Sequence, residues 1–399
     1  MPYYIGDVIQ KAEKLIARTP EKFLETGVEV RTDTRVDEVD QKAGEVRLAG
    51  GERLPYDVLV LGTGTAPLMP GIPGQELEGV FTLKKFSDAI LIKAWLREIP
   101  CRKAIIIGAG FIGMEMAEAL RNLNMETQVF HRGKLPVNRW DPELSRVVLE
   151  ELRRNGVDFV TDTEVRAVSE GRNHRLRLVT NHGESEADMI LMAVGVRPDV
   201  VLAKQMGLPL GETGAIRVNF SQRTPHEEIY AVGDCAESFH RVNGRWVNIP
   251  LGDIANKQGR VAGCNIAGGQ MIFPGIVGAQ SFKVFGLEVA ATGLEEREAL
   301  QSGFHPVSTL IRGNAIAGSM PGNSKLGIKL IADRASGRLL GAQAVGKEGA
   351  VSRINTLSAA LWAGMTLDDV GWMDLAYAPP VGPAWDPIHI AAQTLRRQI

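Results

Sequence analysis

The sequence lacks the features of a membrane protein and those of a secreted protein. Its longest apolar run, around Ile105 to Met114, is interrupted by glycines and followed by Glu115, so it predicts no membrane span. Four charged residues break any apolar leader within the first fifteen positions: Asp7, Lys11, Glu13 and Lys14. We therefore expect a cytoplasmic protein that does not bind membranes.

The sequence also has no marked excess of either charge and few cysteines. The 45 Lys and Arg residues nearly balance the 47 Asp and Glu residues, so no overall positive field would attract nucleic acid. The three cysteines, Cys101, Cys235 and Cys264, are far apart and show neither a CxxC pair nor zinc spacing. The sequence predicts small buried thiols and no metal site.

Length and composition are those of a folded protein. With 399 residues, 44% apolar and 23% charged, the chain predicts two or three domains, and we expect three. The 44 glycines favour a loop-rich α/β fold.

The strongest signal is the stretch AIIIGAGFIGMEMAEAL, residues 104–120. Its apolar start predicts a buried strand, Gly108-x-Gly110-x-x-Gly113 a tight turn, and the residues after it a helix. Such a turn lets a pyrophosphate approach the backbone at the positive end of the helix. With a second strand predicted at Thr127–Phe130, the spacing is typical of dinucleotide binding; the alternative is a tight turn without a ligand.

The end of that second strand indicates which dinucleotide binds. An NAD site places a carboxylate there, but this sequence has His131, Arg132, Gly133 and Lys134. Guanidinium and ammonium groups suit the 2′-phosphate of NADP(H), which we favour over NAD(H). The alternative is that this basic run is only a solvated loop.

Two segments of the chain resemble each other. Residues 27–36 (GVEVRTDTRV) and 156–165 (GVDFVTDTEV) are alike, and both copies continue with a predicted strand that ends in a polar turn, another short strand, an acidic residue and an apolar strand that runs into a glycine turn. This self-similarity predicts two related nucleotide-binding domains. The copies lie 156 − 27 = 129 residues apart, which would put the first glycine fingerprint before Met1. We therefore expect the first domain to lack its βαβ opening here, unless the first copy needs none.

A later stretch predicts the second half of that first domain. IYAVGDCAES, residues 229–238, predicts a strand followed by Gly233 and Asp234, a carboxylate suited to a sugar or ribityl hydroxyl, although such pairs also occur in ordinary turns. The next twenty residues, 249–268, predict a loop and a helix with small residues for tight packing.

These motifs together resemble those of the flavin-dependent pyridine nucleotide-disulfide oxidoreductases. The similarity is greatest to the single-cysteine branch, which includes coenzyme A-disulfide reductase, NADH oxidase and persulfide reductase. The matching stretches follow the family order over nearly the whole chain: PYYIGDVI, RTPEKF, LVLGTGTAP, GAGFIGMEMAE, AVGVRPD, YAVGDC, IPLGDIANKQGRVAGCNIAG, FKVFGLEVAATG, GRLLGAQAVG and LAYAPPVGPAWDPIHIAA.

The resemblance implies two interleaved Rossmann-like, three-layer domains and a C-terminal α+β dimerisation domain. An FAD domain, incomplete at its N-terminus, would comprise residues 1–84 and 201–273. An NAD(P)H domain would comprise residues 85–200, and residues 274–399 would form the interface of a homodimer.

The resemblance also implies roles for single residues. Phe111 would be an aromatic lid over the nicotinamide and Glu115 a catalytic acid, unless Glu115 is only a solvated first-turn carboxylate. Tyr377 would point at the partner subunit's active site or only pack at the dimer interface. His389 would be a packed helix histidine. Further implied cofactor contacts are Ile112 and Gly195 for the pyridine nucleotide, and Val36, Thr63, Gly64, Gly233, Asp234 and Leu251 for FAD.

In this family the redox cysteine immediately precedes the segment that is Pro2–Gly6 here. None of the three cysteines matches that position. We expect a truncated version of a normal enzyme rather than a variant that lost its thiol chemistry.

The resulting hypothesis is a flavoprotein that passes hydride from NADPH to FAD and then reduces a disulfide, a persulfide or a coenzyme A mixed disulfide. Two alternatives stay open. One is a cysteine-free NAD(P)H oxidase or electron-transfer reductase. The other is an inactive NADP(H)-binding homologue.

Overall fold

The computed structural model describes residues 1–399, which fold as two compact units. The first unit comprises Met1–Gln10, Pro67–Gly195 and Val277–Ile399, and the second comprises Lys11–Ala66 and Val196–Ile276. None of the helices combines the length and the apolar character that a membrane span requires. The division into three domains stays a prediction, because residues of the 85–200 and 274–399 ranges share one unit.

Helices and strands alternate between residues 86 and 160, and elsewhere several strands or several helices follow one another. The helices are α1 (Pro2–Ile5), α2 (Pro20–Leu24), α3 (Phe86–Glu98), α4 (Phe111–Asn122), α5 (Pro142–Arg154), α6 (Val201–Gln205), α7 (Gly252–Ile266), α8 (Glu296–Gln301), α9 (Ala350–Ala363), α10 (Leu367–Gly371) and α11 (Pro387–Arg396). The strands are β1 (Val36–Asp40), β2 (Glu45–Leu48), β3 (Arg53–Pro55), β4 (Leu59–Leu61), β5 (Thr65–Pro67), β6 (Val80–Phe81), β7 (Lys103–Ile107), β8 (Glu126–Phe130), β9 (Val157–Val160), β10 (Val165–Glu170), β11 (Leu176–Thr180), β12 (Gly183–Ala187), β13 (Met189–Met192), β14 (Val196–Pro198), β15 (Ile229–Ala231), β16 (Ser238–His240), β17 (Arg245–Val247), β18 (Gln280–Val284), β19 (Leu287–Gly293), β20 (Pro306–Asn314), β21 (Lys325–Asp333) and β22 (Leu339–Gly346).

A parallel sheet in the order β6-β13-β7-β8-β9 forms the nucleotide-binding part of the first unit. Strand β13 is apolar throughout and β7 is apolar after Lys103, and Ile105, Ile106 and Ile190 are fully buried. Continuous apolar runs are expected of strands that are covered on both faces. The predicted strand, glycine turn, helix and second strand are all confirmed, as is the α/β class.

The C-terminal residues of the first unit form an antiparallel sheet in the order β18-β19-β22-β21-β20. Strand β22 is buried along its whole length, and helices α9 and α11 pack against this sheet. The second unit contains smaller sheets: β1-β2-β3 is antiparallel, β4 pairs in parallel with β15, and β16 pairs with β17.

The predicted repeat is visible in backbone details. Asp33 and Asp162, at corresponding positions, both have φ 52°, in the left-handed region that few non-glycine residues adopt. The hydroxyls of the next residues, Thr34 and Thr163, each donate to the carbonyl oxygen two residues earlier at 2.9 Å. A three-stranded antiparallel sheet follows in both copies, β1-β2-β3 and β10-β11-β12.

The two copies differ where they begin, because only the second opens with a strand. The second copy begins with β9, which pairs with β8 and buries Val157. In the first copy Val28 and Val30 are 49% and 40% exposed and belong to no strand. An isolated extended segment is not stable without a neighbour that accepts its hydrogen bonds, and no strand of the second unit pairs with this one.

A buried ion pair fixes the C-terminal helix. The Arg353 guanidinium on α9 donates to the Asp386 carboxylate at 2.8–3.1 Å and to the carbonyl oxygen of Ala315 at 2.9 Å. The Asp386 carboxylate also caps α11 by accepting from the N–H of Ile388 at 3.0 Å.

Replacing Arg353 with Met should therefore lower the free energy of unfolding by about 3–5 kcal/mol, because Asp386 would be left buried without its partner. Chemical denaturation measures the loss. The pair of Arg396 and Asp368 is the matched control, since its side chains are 49% and 65% exposed. Arg396→Met should cost less than about 1 kcal/mol. Equal losses in the two variants would contradict the prediction.

Candidate nucleotide-binding sites

Two close backbone contacts fix the glycine turn between β7 and α4. A methyl group added at Gly113 would lie 2.2 Å from the carbonyl oxygen of Gly108, and one added at Gly108 would lie 2.3 Å from that of Ala193. Gly108 also has φ +106°, a backbone conformation in which other residues are strained. Only glycine fits at these two positions, because the helix, the strand and the neighbouring loop are packed backbone to backbone.

Gly110 is a glycine for a different reason. It precedes the first residue of α4 with φ −82° and ψ −172°, and no side chain caps the helix. A methyl group there would meet no atom within 4 Å. The open space therefore adjoins the positive end of a 12-residue helix whose first amide groups belong to Phe111, Ile112 and Gly113. A pyrophosphate needs this arrangement of free N–H groups and space.

The basic residues follow β8 directly, as predicted. His131 Nε2 lies 3.2 Å from Asn138 Oδ1, and burial lowers the pKa of the His131 imidazole, which favours the neutral ring. Arg132 and Lys134 are exposed. Gly195, with φ +118°, follows β13, the strand next to β7. All these residues lie at the carboxyl ends of parallel strands, where ligands bind in open α/β sheets.

Phe111 and Glu115 lie one helical turn apart on α4. The Phe111 ring stacks on that of Phe282, with centroids 5.0 Å apart, and contacts Trp140 edge to face at 5.4 Å. Burial raises the pKa of the Glu115 carboxyl. The lid role of Phe111 and the acid role of Glu115 stay predictions.

In the second unit, Gly233 and Asp234 form a tight turn after β15. Gly233 has φ +76°, and its N–H donates to the buried Oε1 of Gln258 at 2.7 Å. The Thr65 hydroxyl donates to Asp234 Oδ2 at 3.4 Å, and the Asp234 carbonyl accepts from Asn248 Nδ2 at 2.9 Å. The predicted turn is thus held rigidly at the carboxyl end of a parallel strand.

A cavity of about 650 Å³ lies beside β1 and β4 in the same unit, with Val36 and Thr63 among its lining residues. The Thr63 hydroxyl donates to the Asp199 carbonyl oxygen at 2.5 Å, and Gly64, with φ +70°, accepts from the Asp199 N–H at 2.9 Å. Leu251 precedes α7 and is half-buried elsewhere in this unit. The cavity volume is in the usual range for small-molecule sites, and the place of FAD among these residues stays a prediction.

Tyr377 lies in an exposed apolar segment between α10 and α11. Its side chain is 54% exposed, and Trp372, Val381 and Trp385 nearby in sequence are 76%, 67% and 51% exposed. The rings of Trp372 and Trp385 contact each other edge to face at 6.2 Å. So much exposed aromatic surface is typical of a protein interface.

His389 and two cysteines are packed side chains. His389 is buried, with Nε2 2.9 Å from the Met373 carbonyl oxygen, which confirms a packed helix histidine. The buried Cys235 thiol donates to two carbonyl oxygens, and burial raises the pKa of the Cys101 thiol to about 11. A thiol with so high a pKa is a poor nucleophile.

Profiles of two protein families cover most of this chain. The profile of the pyridine nucleotide-disulphide oxidoreductases matches residues 3–259, and that of the dimerisation domain of the same proteins matches residues 279–387. The chain belongs to this family. Both glycine-containing sites lie within the first match, and Tyr377 lies within the second.

Individual relatives are similar over nearly the whole chain. The NAD(P)H coenzyme A polysulfide/persulfide reductase of Pyrococcus horikoshii is 37% identical over 396 residues, which are 98% of this chain and 88% of that protein. The NADH oxidase of Methanocaldococcus jannaschii is 31% identical in an alignment of 405 residues that covers 100% of this chain and 90% of that protein. The structure of a NAD-dependent persulfide reductase from A. fulgidus superposes with a TM-score of 0.95 at 39% identity, covering 100% of this chain and 75% of that one.

Sequence reasoning missed two residues that support the sites. Gln258 holds the Gly233 turn, and Glu118 on α4 accepts hydrogen bonds from a distant hairpin. Gln258 could have been found, because it shares the helix face of the buried Ile254, Val261 and Ala262, where a polar residue needs a partner. Nothing near Glu118 in the sequence indicates its partners, which lie 165 and 167 residues away.

Two glycine substitutions test whether the turn between β7 and α4 binds a ligand or is only a tight turn. Gly110→Ala should change the free energy of unfolding by less than about 1 kcal/mol, since space is open there. The same substitution should weaken NADPH binding at least about tenfold, because the added methyl group would occupy the space proposed for the pyrophosphate. Gly113→Ala should destabilise the protein by about 1–3 kcal/mol, because it separates helix from strand. Thermal denaturation and calorimetric titration measure both effects. Unchanged NADPH affinity in Gly110→Ala would show that this turn holds no pyrophosphate.

Proposed function

We propose that this chain is an FAD-dependent oxidoreductase that takes hydride from NADPH and reduces a small disulfide, persulfide or coenzyme A-linked disulfide. The observation that carries the proposal is the uncapped N-terminus of α4, with open space at Gly110 and the basic Arg132 at the end of the next strand. The family is named after the pyridine nucleotide, and the structure of a member from Desulfovibrio vulgaris is described as FAD-dependent.

The pyridine nucleotide would bind along the carboxyl edge of the parallel sheet. The first-turn N–H groups of α4 would hold its pyrophosphate. Arg132 and Lys134 would bind the 2′-phosphate of NADPH, and the neutral His131 ring would lie beside the ribose. NADH is the alternative, and the A. fulgidus relative carries NAD in its name.

The second unit offers the residues for FAD. Val36 and Thr63 would line the adenine end of the cofactor in the 650 Å³ cavity, near Gly64. Asp234 would bind a sugar or ribityl hydroxyl, because Gly233 lets the backbone approach closely. Leu251 would lie near the flavin ring. When bound, FAD would supply a hydride acceptor that passes two electrons to the substrate.

Two side chains of the chain have proposed chemical roles. Glu115, whose pKa is raised by burial, would lie beside the nicotinamide and act there as the acid. Phe111 would cover the nicotinamide and exclude water. The Tyr377 hydroxyl would donate to a substrate bound in the partner subunit.

A second candidate acceptor is oxygen. The relative from Methanocaldococcus jannaschii is named an NADH oxidase. The Cys101 thiol, with its pKa raised to about 11, and the buried Cys235 are both poorly suited to thiol–disulfide exchange. The low reactivity of these two thiols supports oxygen as the alternative acceptor.

Anaerobic titration of the purified, FAD-supplemented protein tests the function. NADPH should bleach the flavin absorbance, and coenzyme A disulfide or a persulfide should restore it. Replacing Arg132 and Lys134 with Leu should raise the KM for NADPH about tenfold or more and leave that for NADH nearly unchanged. Recovery of the flavin colour with oxygen, but not with coenzyme A disulfide or a persulfide, would favour the oxidase. Flavin that stays oxidised with both nucleotides would refute the proposal.

We also propose that the exposed segment around Trp372 and Trp385 forms a homodimer interface. Light scattering should give the mass of a dimer for the wild-type protein. Trp372→Glu should weaken dimerisation at least about tenfold, because it buries a charge in an apolar contact. Leu300→Glu on α8 is the control, since Leu300 is 63% exposed outside this segment. A monomeric wild type, or equal effects of the two variants, would contradict the interface.

A further inference from the structure

Strand β18 of the C-terminal sheet contacts helix α4 at two points. At the start of the helix, the ring of Phe282 stacks on that of Phe111 with centroids 5.0 Å apart. Two helical turns further, Glu118 Oε2 accepts from the N–H of Phe285 at 2.7 Å, and Glu118 Oε1 lies 3.2 Å from Lys283 Nζ. Contacts at both ends of this span limit the tilt as well as the rotation of α4.

The hairpin between β18 and β19 is shaped to make these bonds. Its two turn residues are Phe285, which has the left-handed φ of 49°, and Gly286. The Gly286 N–H donates to Glu151 Oε1 on α5 at 3.1 Å, as the Phe285 N–H donates to Glu118 on α4. The two carboxylates are 7% and 16% exposed, so these charge-assisted bonds are largely shielded from water.

Trp140 closes the aromatic contact at the start of α4. Its ring lies 5.4 Å from that of Phe111 and 5.7 Å from that of Phe282. Its Nε1–H donates to the carbonyl oxygen of Ala290 in β19 at 3.1 Å. Three rings and one hydrogen bond thus fix the first residue of α4 against the C-terminal sheet.

We propose that the β18–β19 hairpin, through Glu118 and Phe282, positions the N-terminus of α4 for the pyridine nucleotide. The inference rests on the proposed function. On its other side α4 is fixed by the contact of Gly113 with Gly108. Glu118 is a positioning residue, because it lies two turns from the turn that would hold the pyrophosphate and acts through the helix.

Variants of Glu118 distinguish an effect on the position of α4 from a direct electrostatic effect on the nucleotide. A carboxylate on α4 repels an anionic nucleotide, so removing its charge alone should leave NADPH affinity unchanged or raise it. Removing its hydrogen bond to Phe285 frees the helix, and affinity should fall. The two effects have opposite signs, which makes the variants informative.

Calorimetric titration of the full chain with NADPH tests the proposal. Glu118→Ala should raise the Kd roughly fivefold to thirtyfold, the upper part of the range for mutations that act through a packed network. Glu118→Gln keeps the oxygen that accepts from Phe285, and Lys283→Met removes only the ion pair, so both should stay within about twofold of the wild type. Phe282→Leu keeps an apolar side chain without the ring stack and should weaken binding as Glu118→Ala does.

The outcomes separate this proposal from the proposed function. The positioning role would be overturned if Glu118→Ala binds NADPH with wild-type affinity, or if Glu118→Ala and Glu118→Gln both bind NADPH at least as tightly as the wild type. If Glu118→Ala does not fold by circular dichroism, Phe282→Leu decides in its place: weaker NADPH binding far below the melting temperature supports the role, and wild-type affinity overturns it. A wild-type protein that binds neither NADPH nor NADH would instead refute the nucleotide site itself.

Discussion

The contact of Gly113 with the Gly108 carbonyl is the constraint on which the nucleotide site depends. It leaves no space for a side chain, so α4 can begin close to the end of β7 only if both residues are glycine. Once the helix starts there, its first amide groups lie beside the open space at Gly110. The helix dipole and the free N–H groups then favour binding of an anion, and this attraction needs no charged side chain.

The same helix is held from its far side by the C-terminal sheet. Besides the hairpin, Asp141 at the start of α5 exchanges two hydrogen bonds with Gln343 of β22, at 2.8 and 3.1 Å. The buried Lys329 of β21 lies 3.0 Å from Asp141 and 2.6 Å from Glu296. The contact of Lys329 with Asp141 is buried, and with the Gln343 bonds it joins the C-terminal sheet to α5 within one compact unit.

Much of the first unit could be predicted because its signals are local. The apolar residues 104–107, the three glycines and the basic end of β8 each specify their own surroundings through sterics or charge. Residues 28–30 form no strand although their sequence resembles that of β9, because a strand needs a neighbouring strand to pair with. Glu118 was missed for a similar reason, since its partners lie 165 and 167 residues away.

The sequence by itself determined the α/β class, the glycine turn, the basic residues that follow β8 and the duplication seen at Asp33 and Asp162. These depend on backbone conformation and on side-chain chemistry, which are encoded within a few residues. Only the tertiary structure decided that Phe111 stacks on Phe282 and that Glu118 accepts from Phe285. Such contacts join residues more than 160 positions apart, and they follow from how sheets and helices pack rather than from any local pattern.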